Sequence, residues 1–280
     1  MAVLTLPRVA PRLRPASARR TELVVHGAIF ALLVVVAFFP AVVASHDPFE
    51  LVGIPFEAPG PVHWFGTDEI GRDLFSRVVH GLPISLASAA LAVVVAFALG
   101  LLVGIPAGLT RDSWLDRTLG GLTETAIAIP SVLLTLAIIT TFGRGTLIAA
   151  VAIGIGEAPG FARLVRGCVI KVSALTFVEA ARAGGARTPR IIVRHVIPAI
   201  LPPLVSFTAL QFGVAMLAIG AISYLGFGEA PPSPEWGVLI ASGQKYIVHA
   251  WWVALIPGVV LSAVVILLNR AAYLLQGEKS

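Results

Sequence analysis

The chain has 280 residues, of which 57% are hydrophobic and only 12% charged, and its mean hydropathy is +0.92. Soluble domains carry about 25% charged residues and disordered chains are poor in apolar ones, so both classes are excluded. The net charge of +5 reads as arginines retained on one side of a membrane rather than as a nucleic-acid footprint, and the lone Cys168 excludes an intramolecular disulfide.

A membrane helix needs about 20 mostly apolar residues. Apolar stretches predict an all-α polytopic protein with six transmembrane helices, near 23–43, 86–109, 123–142, 145–162, 199–227 and 247–269. Together they make a membrane domain over 23–272, between a basic segment 1–22 and a short tail 273–280. Arg19 and Arg20 precede the first stretch, but its apolar run is too long for a signal peptide, so it is expected to stay as an anchor. With both termini inside, sixteen Lys and Arg fall on the cytoplasmic side and four outside, as the positive-inside rule requires.

The loop from about residue 44 to 85 is acidic, with Asp47, Glu50, Glu57, Asp68, Glu69 and Asp73. Its carboxylates lack the spacing of a calcium loop. Thr67 or Asp68 is expected to cap a helix there, with Asp73 paired locally. Gly100, Gly104 and Gly108 repeat at a spacing that permits close helix approach, either within the subunit or at a dimer seam. Glu157 either lines a substrate path or, the favoured reading, pairs at the interface with Arg163 or Arg166. Trp251 and Trp252 mark a membrane interface.

The chain carries no G-x-x-x-x-G-K-[ST], H-E-x-x-H or G-x-S-x-G motif, and its six histidines are scattered. ATP binding and hydrolytic catalysis by this chain are therefore not expected, and no cofactor is assigned to it.

The loop 163–198 holds most of the inner positive charge. Thr176 and Glu179 fit a capping box ahead of a helix containing Ala180 and Ala181. Gly184-Gly185 would end that helix in a left-handed cap, and Thr188-Pro189 would start another as N-cap and first residue. Arg187, Arg190, Arg194 and His195 coat the pair, and Pro198 follows at the membrane.

The order of these residues resembles the E-A-A loop of bacterial ABC-importer permeases. Glu179, Ala180, Ala181, Gly185 and Pro198 fall in register, and Arg194-His-Val-Ile-Pro198 is similar to the R-H-I-L-P of the peptide-importer branch. Phe65-Gly-Thr-Asp-Glu-Ile-Gly-Arg-Asp73 looks like the F-G-T-D-x-x-G-R-D signature of dipeptide/oligopeptide/nickel permeases of the DppC/OppC type. Ser223-Tyr-Leu-Gly-Phe-Gly228 and Pro231-Pro-Ser-Pro-Glu-Trp-Gly237 resemble the same branch, as do Trp114-Leu-Asp116 and Pro159-Gly-Phe-Ala-Arg163 with Arg166. Ala158 departs from the family, which often has Trp there.

The resemblance implies a type I permease fold and one half of a heterodimeric pore in a bacterial inner membrane. It also implies a second permease, two cytoplasmic ATP-binding subunits that carry ATP and Mg, and an extracytoplasmic binding protein. The cargo it suggests is a short peptide or related small solute, moved by alternating access without covalent chemistry on this chain. Residues 163–198 would couple to the ATPases. Asp68, Arg72, Asp73, Pro232 and Trp236 would meet the binding protein. An ion-coupled secondary transporter and a non-transport membrane scaffold are the alternatives; the first needs ionisable groups or broken helices in mid-membrane, the second has no use for a Glu-Ala-Ala block.

Overall fold

The computed structural model describes residues 16–276, and the segments 1–15 and 277–280 lie outside it, including the expected arginines Arg8, Arg12 and Arg14 and Lys279. The described elements are helical: α1 (Ala16–Phe38), α2 (Pro40–Val43), α3 (Leu74–Leu109), α4 (Trp114–Ala128), α5 (Ser131–Phe142), α6 (Thr146–Ser173), α7 (Thr176–Ala183), α8 (Thr188–Ile191), α9 (Ile197–Tyr224), α10 (Trp236–Gln244) and α11 (Trp252–Gln276). A π turn, Ile192–Val196, joins α8 to α9 without a stop.

Four helices are long and apolar enough to cross a membrane: Leu74–Leu109, Thr146–Ser173, Thr188–Tyr224 and Trp252–Ala271. A fifth span exists if α4 and α5 are counted as one, and these two meet at 90°. The bend follows from Ile129-Pro130. A residue before proline avoids the helical region, and Ile129 sits at φ −84°, ψ 124°. The expected span 123–142 is thus broken at Pro130, and by these criteria the described residues hold four spans or five.

The helices that carry the second and fourth expected spans are longer than those apolar stretches: α3 begins at Leu74, before residue 86, and α6 continues to Ser173, past 162. At 1.5 Å per residue α3 is about 54 Å long, well beyond a hydrocarbon core of about 30 Å. Charge-free windows miss such extensions because they measure what hydrocarbon tolerates, not where backbone hydrogen bonding stops. Arg77, Arg163 and Arg166 sit inside these longer helices, and two of them are paired with carboxylates.

The central packing is α3 against α6. A Cβ on Gly104 would lie 2.6 Å from the Ala162 carbonyl, and one on Gly154 2.6 Å from that of Ala92. Gly100 and Gly108 are equally closed, against Phe161 and Val169. The small-residue repeat therefore serves packing within this subunit, and the dimer-seam alternative does not hold for these glycines. Around the pair, Ala89, Ala92, Ala149, Ala150, Phe161, Met216, Ile219 and Leu239 form the main core. A second cluster of Val165, Val169, Val178, Ile191, Val196, Ile200 and Leu204 lies at one end. Outward faces such as Val94, Leu102, Leu147, Val259 and Ile266 are exposed and apolar, as lipid or a partner helix demands.

Candidate functional site

The second cluster is the seat of the basic loop. Helix α7 inserts Val178 and α8 inserts Ile191 into it, and both are buried. The rest of the loop faces outward: Glu179, Ala180, Arg182, Gly185, Arg187, Arg190, Arg194 and Pro198 are exposed, with Ala181 and His195 half-buried. The His195 ring lies 5.8 Å from that of Phe177. The turn between α7 and α8 follows the expected chemistry. Gly185 has φ +78°, the Gly185 N–H donates to the Arg182 carbonyl, and the Ala186 N–H donates to that of Ala181. This is the Schellman pattern, and it needs a residue free to adopt a left-handed conformation.

Both expected caps are corrected. Leu175, not Thr176, is the N-cap of α7, and no side chain caps that end. Arg187, not Thr188, is the N-cap of α8, which moves Pro189 to the second helical position. Once Leu175 holds the cap position, Thr176 is already helical and its hydroxyl no longer stands over the free N–H groups. The Glu179 carboxylate is consequently left exposed rather than spent on the helix start.

Behind the loop, α4 and α6 are joined by a bidentate ion pair. Arg166 Nε donates to Asp116 Oδ1 at 2.6 Å and Arg166 Nη2 to Oδ2 at 3.0 Å, and Asp116 is buried. Arg166 is therefore not available to Glu157. The Glu157 carboxylate instead accepts from Gln211 Nε2 on α9 at 3.0 Å, which corrects the expected pairing with Arg163 or Arg166. On a helix that continues past residue 162, Arg166 projects toward α4 and away from Glu157.

The opposite end of the molecule is a closed polar assembly. Asp68 is buried and accepts from Arg72 Nε at 2.6 Å, from the backbone N–H groups of Arg72 and Ile70 at 3.0 Å, and from Arg77 Nη1. Burial opposes its charge, but those N–H groups and the Arg77 and Arg72 guanidiniums hold its carboxyl below the ordinary aspartate range. Arg77 Nη2 also donates to the carbonyls of Pro232 at 2.9 Å and Ser233 at 3.3 Å, so one arginine binds the first loop to the second. The helix cap expected of Thr67 or Asp68 belongs to Asp73, whose Oδ2 accepts from the Ser76 N–H at 2.8 Å. Thr67 bridges its own loop, donating to the Ile54 carbonyl and accepting from the Glu57 N–H.

Trp236 is 1% exposed and its Nε1–H donates to the Val78 carbonyl at 2.8 Å. It is a core residue, because proline-rich residues 231–234 turn α10 back onto α3. Asp68, Arg72 and Asp73 are buried as well, so of the five residues expected to meet a binding protein only Pro232 is exposed. The tryptophan pair divides: Trp251 is exposed, whereas Trp252 is buried with its Nε1–H directed to the Thr67 carbonyl at 3.3 Å.

Sequence reasoning missed Gln211, and it met Arg77 and Glu235 only as motif residues without a role. Glu235 caps α10, its Oε1 accepting from the Gly237 N–H at 3.1 Å, and burial pushes its carboxyl above the ordinary glutamate range. Asp116 and Arg166 were each visible as motif residues, but no local spacing announces a pair fifty positions apart.

Comparison with known proteins agrees with this architecture. Residues 98–277 match the family model of the binding-protein-dependent transport system inner membrane component. The chain is 33% identical over 254 residues to a glutathione transport system permease protein GsiD of Pectobacterium atrosepticum, covering 90% of this chain and 84% of that protein. It is 34% identical over 253 residues to a dipeptide transport system permease protein DppC of Alkalihalophilus pseudofirmus, covering 90% and 83%. Its fold is similar to a chain of the MetNI methionine ABC transporter in an inward-facing form, with a TM-score of 0.60 at 23% identity over 73% of this chain and 96% of that one. A helical fold with apolar spans, a match over most of the chain and full-length permease relatives together identify a multi-pass inner-membrane protein: the chain belongs to the binding-protein-dependent transport system inner membrane components and is a permease subunit of an ABC importer.

Proposed function

We propose that this subunit forms one half of a heterodimeric pore that imports short peptides or related small solutes, with ATP and Mg held by two separate cytoplasmic subunits. The relatives named for glutathione and dipeptide transport support the cargo class. Both termini lie in the cytoplasm in this reading, which the distribution of basic residues supports. An extracytoplasmic binding protein docks on the opposite end. Exposed Pro232 contributes to that contact, and Asp68, Arg72, Asp73 and Trp236 hold the surface from below.

The observation that carries the reading is the α7–α8 pair. Its apolar side is anchored by Val178 and Ile191, and its exposed side presents Glu179, Arg182, Arg187, Arg190 and Arg194. A short rigid element with one greased and one charged face can transmit the movement of a docked ATPase to α6 and α9, the helices it joins. Elements of this kind move as packed units rather than deforming continuously.

Reconstitution with the partner subunits tests the proposal. Glu179→Gln and Gly185→Val should each lower uptake and substrate-stimulated ATP hydrolysis at least tenfold while membrane insertion persists; truncating one partner of a buried charge pair typically costs about 2–5 kcal/mol. Normal uptake by both variants would remove the coupling role. Cys168, on the last turns of α6, should react with a membrane-impermeant thiol reagent only after permeabilisation. Labelling from outside intact cells would reverse the orientation.

A further inference from the structure

The loop between α2 and α3 brings together two histidines that the transport reading leaves without a task and the carboxylate that caps α3. His46 follows α2, His63 lies in mid-loop, and Asp73 caps α3. Their ligand atoms all lie within 4.8 Å of one another. His63 Nδ1 is 3.0 Å from Asp73 Oδ1, and His46 Nδ1 is 4.0 Å from Asp73 Oδ2. The two imidazole centroids are 5.8 Å apart.

We propose that His46, His63 and Asp73 form a binding site for a divalent first-row transition ion of the zinc type. Ligand–zinc bonds of about 2.0–2.2 Å at tetrahedral angles put ligand atoms about 3.3 Å apart; the approaches to Asp73, one to each of its oxygens, are 3.0 Å and 4.0 Å, and small side-chain rotations would bring the ligand atoms, all within 4.8 Å, to that spacing. The donor set selects the ion. Two imidazoles and one carboxylate suit zinc, cobalt or nickel, whereas calcium and magnesium require mostly oxygen ligands and copper(I) favours sulfur.

Two details go beyond proximity. His46 Nδ1 is shielded from solvent and has no hydrogen-bond partner, although its backbone N–H is held by Ser76 Oγ at 3.1 Å. A buried imidazole nitrogen without a partner is costly unless something binds it. The Asp73 carboxylate is also divided in its duties. Oδ2 accepts from the Ser76 N–H and hydroxyl, which fixes the group, while Oδ1 is turned to His63. Oriented ligands of this kind are what a metal site needs around it. The His63 ring is itself confined, since a Cβ on Gly53 would lie 3.0 Å from its Nε2. His63 and Asp73 are buried, and His46 is half-exposed. A bound ion would fasten the chain after α2 to the N-terminus of α3.

The test uses the full-length chain, free of any affinity tag, purified with its partner subunits and titrated with Co(II). One equivalent per chain should bind with the visible ligand-field band of a four-coordinate ion, and Zn(II) should displace it and raise the thermal midpoint. His46→Ala, the least buried of the three, should weaken binding at least tenfold without changing the metal-free midpoint. Asp73→Asn keeps a capping oxygen and should weaken it as well, while Glu69→Gln should not. Absence of saturable Co(II) or Zn(II) binding by the folded wild type, or equal affinity in wild type and His46→Ala, overturns the site.

Discussion

The two ends of the molecule treat charge in opposite ways. At the end built from residues 45–77 and 229–236, the charges Asp68, Arg72, Asp73, Arg77 and Glu235 are buried, and most are held by several bonds. At the α7–α8 end, Glu179 and the arginines are exposed on helices that only a few apolar side chains anchor. The first end uses its charges for internal order, and the second leaves them exposed. A sequence motif can therefore mean opposite things: both ends carry family signatures, yet one is a scaffold and the other a free surface.

Substitutions that break this contrast should follow the same division. The largest loss is expected for Asp68→Ala. It leaves Arg77 buried without a carboxylate and Arg72 with only the partly exposed Glu69 at 3.3 Å, and breaking a buried pair typically costs about 3–5 kcal/mol. Thermal unfolding of the purified assembly should show it, and an unaltered midpoint would mean that water already screens these arginines.

Trp236→Ala should come next. Removing a buried tryptophan typically costs about 3–5 kcal/mol, here with the Val78 carbonyl left without its donor. The expected signature is lost expression and thermal stability, with binding-protein affinity unchanged in whatever folded fraction survives. Weakened docking at full stability would restore Trp236 to the surface.

The paired acids predict opposite pH behaviour. Asp68 has a lowered folded-state pKa, so its stabilisation is present above the ordinary aspartate range and is lost as pH falls through the folded value. Glu235 has a raised one, so it costs stability as pH rises from the ordinary glutamate range through the folded value. Glu235→Gln keeps an oxygen for the Gly237 N–H and removes that cost. The variant should match wild type in acid and exceed it at neutral pH in a midpoint-versus-pH series. A neutral-pH midpoint at or below that of wild type would show that the carboxylate is charged and well paired.

The smallest stability effect is expected for Glu179→Gln. An exposed residue with no capping bond should shift the midpoint by no more than about 0.5 kcal/mol, even where transport fails. A large destabilisation would mean that Glu179 is part of the loop's own structure and not a contact for the ATPase.

The sequence by itself determined the membrane class, the helical architecture and the family, because hydropathy and short motifs are local and survive without coordinates. It also determined the Gly185 turn: two glycines after an alanine-rich segment permit few other endings, and the left-handed conformation is there. Helix ends were less legible. Leu74 and Ser173 lie beyond the apolar windows because helical hydrogen bonding continues past the bilayer wherever charges can be paired or hydrated. A break at Pro130 was legible in the proline, but its near right angle was not, because apolar residues on both sides fit a straight span equally well. What only the tertiary structure decided is which polar groups are inside. Asp68 meets Arg77 nine positions away, Asp116 meets Arg166 fifty away, and Trp236 reaches Val78 across 158 positions. Hydropathy scores a residue by its type, whereas burial depends on which distant segments close over it. Trp236 and Asp68 therefore read as surface in the sequence and belong to the interior of the fold.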